Sequence, residues 1–323
     1  MKPTTGESWI FAGPEDGLCN NSGLAFTPDG GRLWVINLST STVIEFTPDG
    51  NGTVIYDAQD GLRGPFGGNG LAWDRAGNYF VANEYSQQIL RFSPRGGPPD
   101  VLADRRDGIG GGGGLALLPN RDALFASDDL LRITPVGVVS IFDPFFSSSG
   151  VDARSLVVDQ RHNVYVAAVH LQSQPGKVHI YPEGNADSRR VIAEGYSTYN
   201  WLSIALSEDE TQLYVVDNLG LHAVDLATFQ QRTLLGVPPD PNALEWGRGI
   251  AVYKAPRPGD LNCDNWVNNF DIDPFVLALT DEAGYAARFG WCDRTRADVN
   301  RDGTIDNFDI DAFVAAVIAD RAE

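Results

Sequence analysis

A short sequence pattern recurs along most of this chain and limits what it can fold into. Full copies begin at residues 23, 70, 114, 155 and 203, and a shorter final copy begins at residue 249. Successive copies therefore start 47, 44, 41, 48 and 46 positions apart. Each full copy holds a short apolar segment, a polar turn and a β-rich segment, and further strand-like segments follow it. Four short strands in each period of about 45 residues predict the blades of a β-propeller.

The two ends of the repeat region predict how the propeller closes. The final copy is only GIAVYK, residues 249–254, which we expect to form the inner strand of a sixth blade. The segment SWIFA, residues 8–12, is expected to supply the outermost strand of that blade. The fold prediction is therefore an all-β propeller with six blade positions, one of them incomplete, over residues 8–254. We also expect that the chain begins late, so that upstream strands and a secretion signal are lost.

A second domain is predicted after residue 254. The proline-rich sequence APRPG at 255–259 indicates a linker. Beyond it, apolar residues recur at helical spacing from Ile272 to Leu279 and again from Ile310 to Val317. Residues 260–323 are therefore predicted to form a small all-α domain.

This domain contains two segments with the ligand spacing of an EF-hand calcium loop. Loop one, DLNCDNWVNNFD, occupies residues 260–271, and loop two, DVNRDGTIDNFD, occupies residues 298–309. Oxygen-bearing side chains stand at positions 1, 3, 5, 9 and 12, which suits a hard cation that needs six or more oxygens. The predicted ligands are Asp260, Asn262, Asp264, Asn268, Asp271 and the Trp266 carbonyl in loop one, and Asp298, Asn300, Asp302, Asp306, Asp309 and the Thr304 carbonyl in loop two. We expect two bound Ca²⁺ ions, against the alternative that these acidic turns bind nothing.

Position six of such a loop needs a positive φ. Gly303 meets this need, and Asn265 is the next best residue because asparagine visits the left-handed region more readily than most residues. We therefore expect loop one to be the more strained of the two.

Charge and cysteine content add weaker constraints. The formal net charge is −19, and no basic stripe is present to meet the phosphates of a nucleic acid. No apolar stretch reaches the roughly 18 residues that a membrane helix needs. Cys263 and Cys292 could form a disulfide that leaves Cys19 over, or all three thiols could be unpaired.

The C-terminal segment 259–323 resembles the dockerin family. The resemblance lies in a loop followed by a helix, twice, with Asp at position 12 and no helix before either loop. In that family calcium folds the module and a helical face docks onto a cohesin domain of another protein. The resemblance implies a cohesin-like partner, an attachment role in a polysaccharide-associated system, and an extracellular or cell-surface location. Loop positions ten and eleven, which often face the cohesin, are Asn269 and Phe270, and Asn307 and Phe308.

The repeats resemble the NHL and gluconolactonase-like (regucalcin-like) propellers through the phrases NGLAW…NYFVAN and SEDETQLYVVDN. In the lactonase family one divalent metal is held near the channel mouth by Glu, Asn and Asp residues close to the starts of the inner strands. Among the residues at the equivalent positions here, only Asn69 matches a metal ligand of that family. Arg154 and Arg248 make this mouth cationic and favour an anionic or hydroxyl-rich ligand. Alternatively, Asn69 caps a turn and the arginines pair with Asp152 and Glu245.

These observations favour a secreted or surface-associated, non-catalytic propeller that binds a ligand or protein and carries a calcium-folded attachment tail. A metal-dependent lactonase-type hydrolase with the same tail is the main alternative, and a pure assembly scaffold is a third. No catalytic residue is nominated, since no GxSxG motif identifies a nucleophile.

Overall fold

The computed structural model describes residues 10–19, 21–37, 39–62, 70–74, 76–83, 86–111, 113–170, 174–197, 202–236 and 249–320. Within these ranges the chain forms five four-stranded antiparallel sheets, followed by a helical C-terminal unit. Each sheet takes its strands in chain order, so that every full copy of the sequence pattern opens one sheet. This is a β-propeller with five blades in the described part of the chain.

The strands have the following bounds. Blade one comprises β1 (Asn21–Phe26), β2 (Leu33–Asn37), β3 (Thr42–Phe46) and β4 (Gly52–Tyr56), and blade two comprises β5 (Leu71–Trp73), β6 (Tyr79–Asn83), β7 (Gln88–Phe92) and β8 (Asp100–Ala103). Blade three comprises β9 (Leu115–Leu117), β10 (Ala123–Ala126), β11 (Leu130–Ile133) and β12 (Val139–Asp143). A short helix, α1 (Pro144–Ser149), leads into blade four, β13 (Val151–Val158), β14 (Val164–His170), β15 (Gly176–Tyr181) and β16 (Arg190–Tyr196). Blade five comprises β17 (Ser203–Leu206), β18 (Gln212–Asp217), β19 (Gly220–Asp225) and β20 (Gln231–Leu235).

The core lies between neighbouring blades. Alternate residues of a strand face opposite sides of its sheet, so each blade can bury one apolar face against the blade before it and the other against the blade after it. Trp34 and Ile36 of blade one pack in this way with Tyr79 and Val81 of blade two. Separate clusters fill the interfaces between blades two and three, three and four, and four and five.

The predicted six-blade count is not confirmed. In the described residues, neither Ile10–Ala12 nor 249–254 forms a strand of any sheet. The inner segment nevertheless lies where the sixth position was expected: Ile250 and Val252 pack on blade five, and Tyr253 contacts Phe26 of blade one with ring centroids 5.5 Å apart. Segment 249–254 is the only described segment between blades five and one. It therefore has no neighbouring strand in the described residues with which to form β-sheet hydrogen bonds.

A helical unit follows the propeller. It contains α2 (Ile272–Thr280), α3 (Glu282–Phe289) and α4 (Asp309–Asp320). The sequence predicted α2 and α4 from their apolar spacing but not α3. Their apolar faces meet in a small core that includes Leu261, Phe275, Tyr285 and Phe313. No helix of the described residues is long and apolar enough to span a membrane.

Candidate cation site and the mouths of the propeller

The two predicted calcium loops have the same backbone path. Asn265 and Gly303, at position six, have φ values of 69° and 89°, as the sequence predicted. Position four is also left-handed in both loops, with φ 57° at Cys263 and 62° at Arg301, which the residue types did not predict. Two positive-φ residues in one short segment curl the chain tightly, so that early and late positions of the loop face one centre.

The hydrogen bonds of the first half of loop one recur at the equivalent positions of loop two. The Asp264 N–H donates to Asp260 Oδ1 at 3.1 Å, and the Asp302 N–H donates to Asp298 Oδ1 at 3.0 Å. The next amide, at position six, donates to the other oxygen of the same carboxylate, at 3.2 Å in loop one and 2.9 Å in loop two. The side chain of the first aspartate in each loop is therefore held in place by backbone amides of the same loop.

The last aspartate is held in an equivalent way. The Asn262 N–H donates to Asp271 Oδ1 at 3.1 Å, and the Asn300 N–H donates to Asp309 Oδ1 at 3.0 Å. These bonds connect position three to position twelve. Both ends of the loop are thereby drawn together around the interior of the turn.

Three carboxylates converge inside loop one. Asp260, Asp264 and Asp271 each place an oxygen within 4.8 Å of the other two, and this is the one such grouping of acidic, histidine or cysteine side chains in the described residues. Asp260 and Asp271 are completely buried. The pKa of Asp260 is raised to about 8 and that of Asp271 to about 7, mainly by burial. Neighbouring carboxylates contribute to both rises, while Arg296 opposes the rise at Asp260 and backbone N–H donors oppose it at Asp271. A cluster of hard oxygens that cannot hydrate suits a hard divalent cation.

The remaining predicted ligands lie at the same loops in different roles. Asn268 and Asp306, at position nine, accept hydrogen bonds from the amides of Phe270 and Phe308, both at 2.8 Å, and so cap the helical turn that follows. Trp266 and Thr304 occupy position seven, and their amides donate to the position-five aspartates at 3.0 and 2.9 Å. In loop two, Asp298, Asp302 and Asp309 do not form a grouping as tight as that of loop one.

Surroundings distinguish the two loops. The start of loop one lies inside the molecule: Asp260, Asn262 and Cys263 are buried, and Cys263 is joined to Cys292 by a disulfide with Cα atoms 5.6 Å apart. In loop two, by contrast, the residues from Asn300 to Thr304 are exposed. Cys19 is a free, exposed cysteine.

Arg296 is a site residue that the sequence did not reveal. It is 6% exposed and its Nη1 lies 2.8 Å from Asp260 Oδ2, while its Nη2 donates to the Pro28 carbonyl of the propeller at 3.2 Å. It falls in the segment between the loops, where the loop repeat gives no guide. Only the folded position of that segment brings it to Asp260, the first predicted ligand of loop one.

Loop one also faces the central channel of the propeller. A cavity of about 460 Å³ runs between the inner strands, the segment 249–252 and residues 263–266 of loop one. Its wall at this mouth includes the turns that follow the inner strands, among them Arg121, His162 and Glu210. The C-terminal unit therefore lies over the channel mouth opposite to the one that holds the predicted propeller ligand site.

That other mouth is only partly described. Asn69 and Arg248 lie outside the described residues. Arg154, the third predicted ligand-binding residue, forms an ion pair with buried Asp152, as in the alternative role that the sequence left open. Burial raises the pKa of Asp152, the Arg154 guanidinium lowers it and Asp128 raises it. The positive charge of Arg154 is therefore already neutralised by the Asp152 carboxylate.

The predicted partner-binding residues lie on an exposed apolar surface. Phe270 is 58% exposed and Phe308 is 73% exposed, and Asn269 and Asn307 beside them are exposed as well. The pattern continues along the helices in equivalent pairs, which are Ile272 with Ile310 and Val276 with Val314, each between 43% and 50% exposed.

Comparison with known proteins supports the propeller. No family model matches the chain, and no curated protein matches its sequence. A PQQ-bound aldose sugar dehydrogenase from Streptomyces coelicolor is similar in structure, with a TM-score of 0.52 and 18% identity over 74% of this chain and 86% of that one. A putative gluconolactonase has a TM-score of 0.52 and 10% identity over 72% of this chain and 81% of its own. A gluconolactonase from Xanthomonas campestris has a TM-score of 0.46 and 15% identity over 57% and 65%.

The similarity to these solved structures shows the β-propeller fold. At these identities the similarity extends to the fold and not to a reaction. The dockerin resemblance of residues 259–323 has no counterpart in these comparisons and stays a prediction.

Proposed function

We propose that this chain is a calcium-binding β-propeller protein whose C-terminal unit is folded by two Ca²⁺ ions and attaches the propeller to a cohesin-like partner. The observation that carries the proposal is the convergence of Asp260, Asp264 and Asp271 in a loop whose hydrogen bonds recur in loop two. The domain boundary at 255–259 and the extracellular or cell-surface location belong to the same proposal. An oxidising compartment suits the Cys263–Cys292 disulfide.

Each ion would be held by the oxygens of one loop. Ca²⁺ takes six to eight oxygen ligands and tolerates irregular geometry, so carboxylates, amide oxygens and a backbone carbonyl can share the shell. When bound, the ion would supply the positive charge that three converging carboxylates lack. Because the ligands are brought together only in the folded state, binding energy would appear as folding energy.

The partner would dock on the paired apolar surface. Exposed Ile272 and Val276, one helical turn apart on α2, have their equivalents in Ile310 and Val314 on α4, and apolar side chains left exposed in such groups suit an interaction surface. The loops hold these helices in register, so calcium would be required for docking.

Calorimetry of the full chain tests the calcium proposal. After chelator treatment, titration with CaCl₂ should give two ions per chain, with dissociation constants that could reach about 10⁻⁴–10⁻³ M as in extracellular modules. Asp264→Asn and its loop-two equivalent Asp302→Asn should each remove one ion. Uptake of no calcium at millimolar concentration would refute the proposal.

Docking is tested separately. A panel of purified cohesin domains, titrated with the calcium-loaded chain, should contain at least one that binds, and Val276→Asp with Val314→Asp should abolish that binding while two calcium ions are retained. If no cohesin binds while calcium uptake is normal, the attachment role is wrong and the calcium role stands.

A lactonase-type hydrolase is the second candidate. The structural similarity to gluconolactonases supports it more directly than it supports docking, although at the level of the fold. Such an enzyme needs a metal at the mouth beside Arg154, and in the described residues Asp152 of that mouth is paired with Arg154. Hydrolysis of gluconolactone by the full chain in the presence of Ca²⁺, Mn²⁺ or Zn²⁺ decides the question, since no turnover with any of them would exclude this activity.

A further inference from the structure

We infer that the cation site of loop one and the seating of the C-terminal unit on the propeller form one cooperative unit, in which loop two takes no part. The inference rests on the proposed calcium function and assigns different roles to the two ions. The ion of loop one fastens the C-terminal unit over the channel mouth, and the ion of loop two serves the outer part of the unit. Three separate contacts link loop one to the propeller, one of them direct and two through residues that are bonded to the loop or adjoin its disulfide.

The first contact runs through Arg296. Its guanidinium contacts the position-one carboxylate of Asp260 at 2.8 Å and the Pro28 carbonyl of blade one at 3.2 Å. Both Arg296 and Asp260 are buried. A rigid planar group that bonds a cation ligand with one nitrogen and the propeller with another transmits any shift of that ligand to the interface.

The second contact is Trp266. It occupies position seven, where the backbone carbonyl is the predicted ligand, and its ring lies 6.1 Å from the ring of His162 in the turn that follows the inner strand of blade four. Residues 263–266 also form part of the wall of the channel cavity. The same residue therefore offers its backbone to the cation and its side chain to the propeller.

The third contact passes through the disulfide. Cys263, at position four, is bonded to Cys292, and the adjacent Trp291 lies against Gly77 in the first turn of blade two. A Cβ atom at Gly77 would lie 2.4 Å from Trp291 Cδ2, and Gly77 has a φ of 74°, so only glycine fits this contact. The disulfide thereby ties loop one to Cys292, whose neighbour Trp291 packs against a turn of the propeller.

Loop two shows none of these connections in the described part of the chain. Its hydrogen bonds in the described residues stay within the C-terminal unit, and its residues are absent from the cavity wall. The duplication thus gives two similar loops, of which the fold places one against the propeller and leaves residues 300–304 of the other exposed.

Thermodynamic linkage then follows. If seating on the propeller stabilises the binding geometry of loop one, calcium at loop one must stabilise seating by the same factor. Removal of calcium from loop one should loosen the C-terminal unit from the turns around Pro28, Gly77 and His162 and open that mouth of the channel.

Hydrogen exchange of the full chain, read by mass spectrometry, tests this linkage. Calcium should protect propeller peptides that cover the turns at 27–33, 74–79 and 159–164, and Asp264→Asn should abolish that protection. The matched variant Asp302→Asn should keep it. Peptides from the blade core, such as 164–169, report in the same experiment that the propeller stays folded.

The outcomes separate the inference from the function on which it rests. If calorimetry counts two ions but calcium changes no exchange in the three turns, or both variants lose protection equally, the inference is overturned and the calcium function stands. If calorimetry finds no calcium, the proposed function itself fails.

A reciprocal measurement changes the contact between Trp266 and the propeller and leaves the predicted calcium ligands unchanged. Trp266→Ala keeps the backbone carbonyl but removes the ring that contacts His162, so calcium affinity at one site should fall by about tenfold while the other site is unchanged. Trp266→Phe keeps an aromatic ring and should stay close to the wild type. Unchanged affinity at both sites in Trp266→Ala would overturn the inference.

Discussion

The rings of Phe275 and Phe313 are stacked face to face, with centroids 4.0 Å apart and an interplanar angle of 6°. They occupy equivalent positions on α2 and α4, because Phe275 stands as far beyond the end of loop one as Phe313 stands beyond the end of loop two. The two equivalent halves of the C-terminal unit therefore meet at this pair. Both rings are buried, at 3% and 4% exposure.

Truncation of this pair should unfold the helical unit before the propeller. Phe313→Ala removes a buried ring and leaves a cavity, a change that costs about 3–5 kcal/mol in protein cores. Urea unfolding of the full chain in saturating calcium, followed by circular dichroism at 222 nm, should show the helical transition at lower urea while the β-rich transition is unchanged. Val136→Ala, at an 86% exposed propeller residue, is the control. A shift common to both variants would contradict the expectation.

Loss of the disulfide should weaken the same unit. Cys263 and Cys292 are 29 residues apart, and closing a loop of this size stabilises by roughly 3–4 kcal/mol in the chain-entropy treatment. Cys263→Ser should therefore lower the urea midpoint of the helical transition and weaken calcium binding at loop one. Cys19→Ser, at the free exposed cysteine, should change neither quantity. Equal midpoints for the two variants would show that the bond does not stabilise the unit.

The stability of the propeller should fall in mild acid because of His179. This residue of β15 is 2% exposed, and neither ring nitrogen has a hydrogen-bond partner in the described residues. Burial lowers its pKa to about 4, and the charges of Arg189 and Lys177 act in the same direction while Asp143 opposes them. The unfolded chain takes up a proton below about pH 6.5 and the folded chain does not, so stability is lost as pH falls from about 6.5 to 4.

The size of this effect follows from the pKa difference. By pH 5 the loss from His179 should be about 2 kcal/mol. His179→Leu, which keeps an apolar fit beside Phe145 and Phe146, removes the titration. Urea unfolding at pH 7.5 and pH 5 in saturating calcium should show a smaller fall for His179→Leu than for the wild type. An equal fall would mean that His179 is not the group that titrates.

The sequence predicted those parts of the structure that repeat. Strands recurred with the pattern that begins at Gly23, and α2 and α4 followed from apolar spacing. The positive φ of Asn265 and Gly303 followed from their place in the loop. Each of these depends on local residue chemistry, which a single sequence displays.

Features that depend on contacts between distant residues could not be predicted in this way. Arg296 meets Asp260 and Pro28 only because α3 and the segment after it fold back across loop one, and nothing in that segment repeats. For the same reason the position of the C-terminal unit over the channel mouth was not anticipated. The expectation of six blades came from counting copies of the sequence pattern. The last copy supplies only one segment, and a segment forms a blade only if other strands pair with it, which the repeat does not predict.

The ion pair between Arg154 and Asp152 gives a further test at the channel mouth opposite the C-terminal unit. Asp152 is 6% exposed, so Arg154→Ala would leave a buried carboxylate without its cation. Removal of one partner from a buried pair costs about 3–5 kcal/mol, and since the Arg154 side chain is 20% exposed we expect a loss near 3 kcal/mol. Asp152→Asn together with Arg154→Ala removes both charges and should recover most of that loss. The free energy of unfolding of the β-rich transition measures both. If the single variant is as stable as the wild type, Arg154 is not needed to neutralise Asp152 and is available to a ligand.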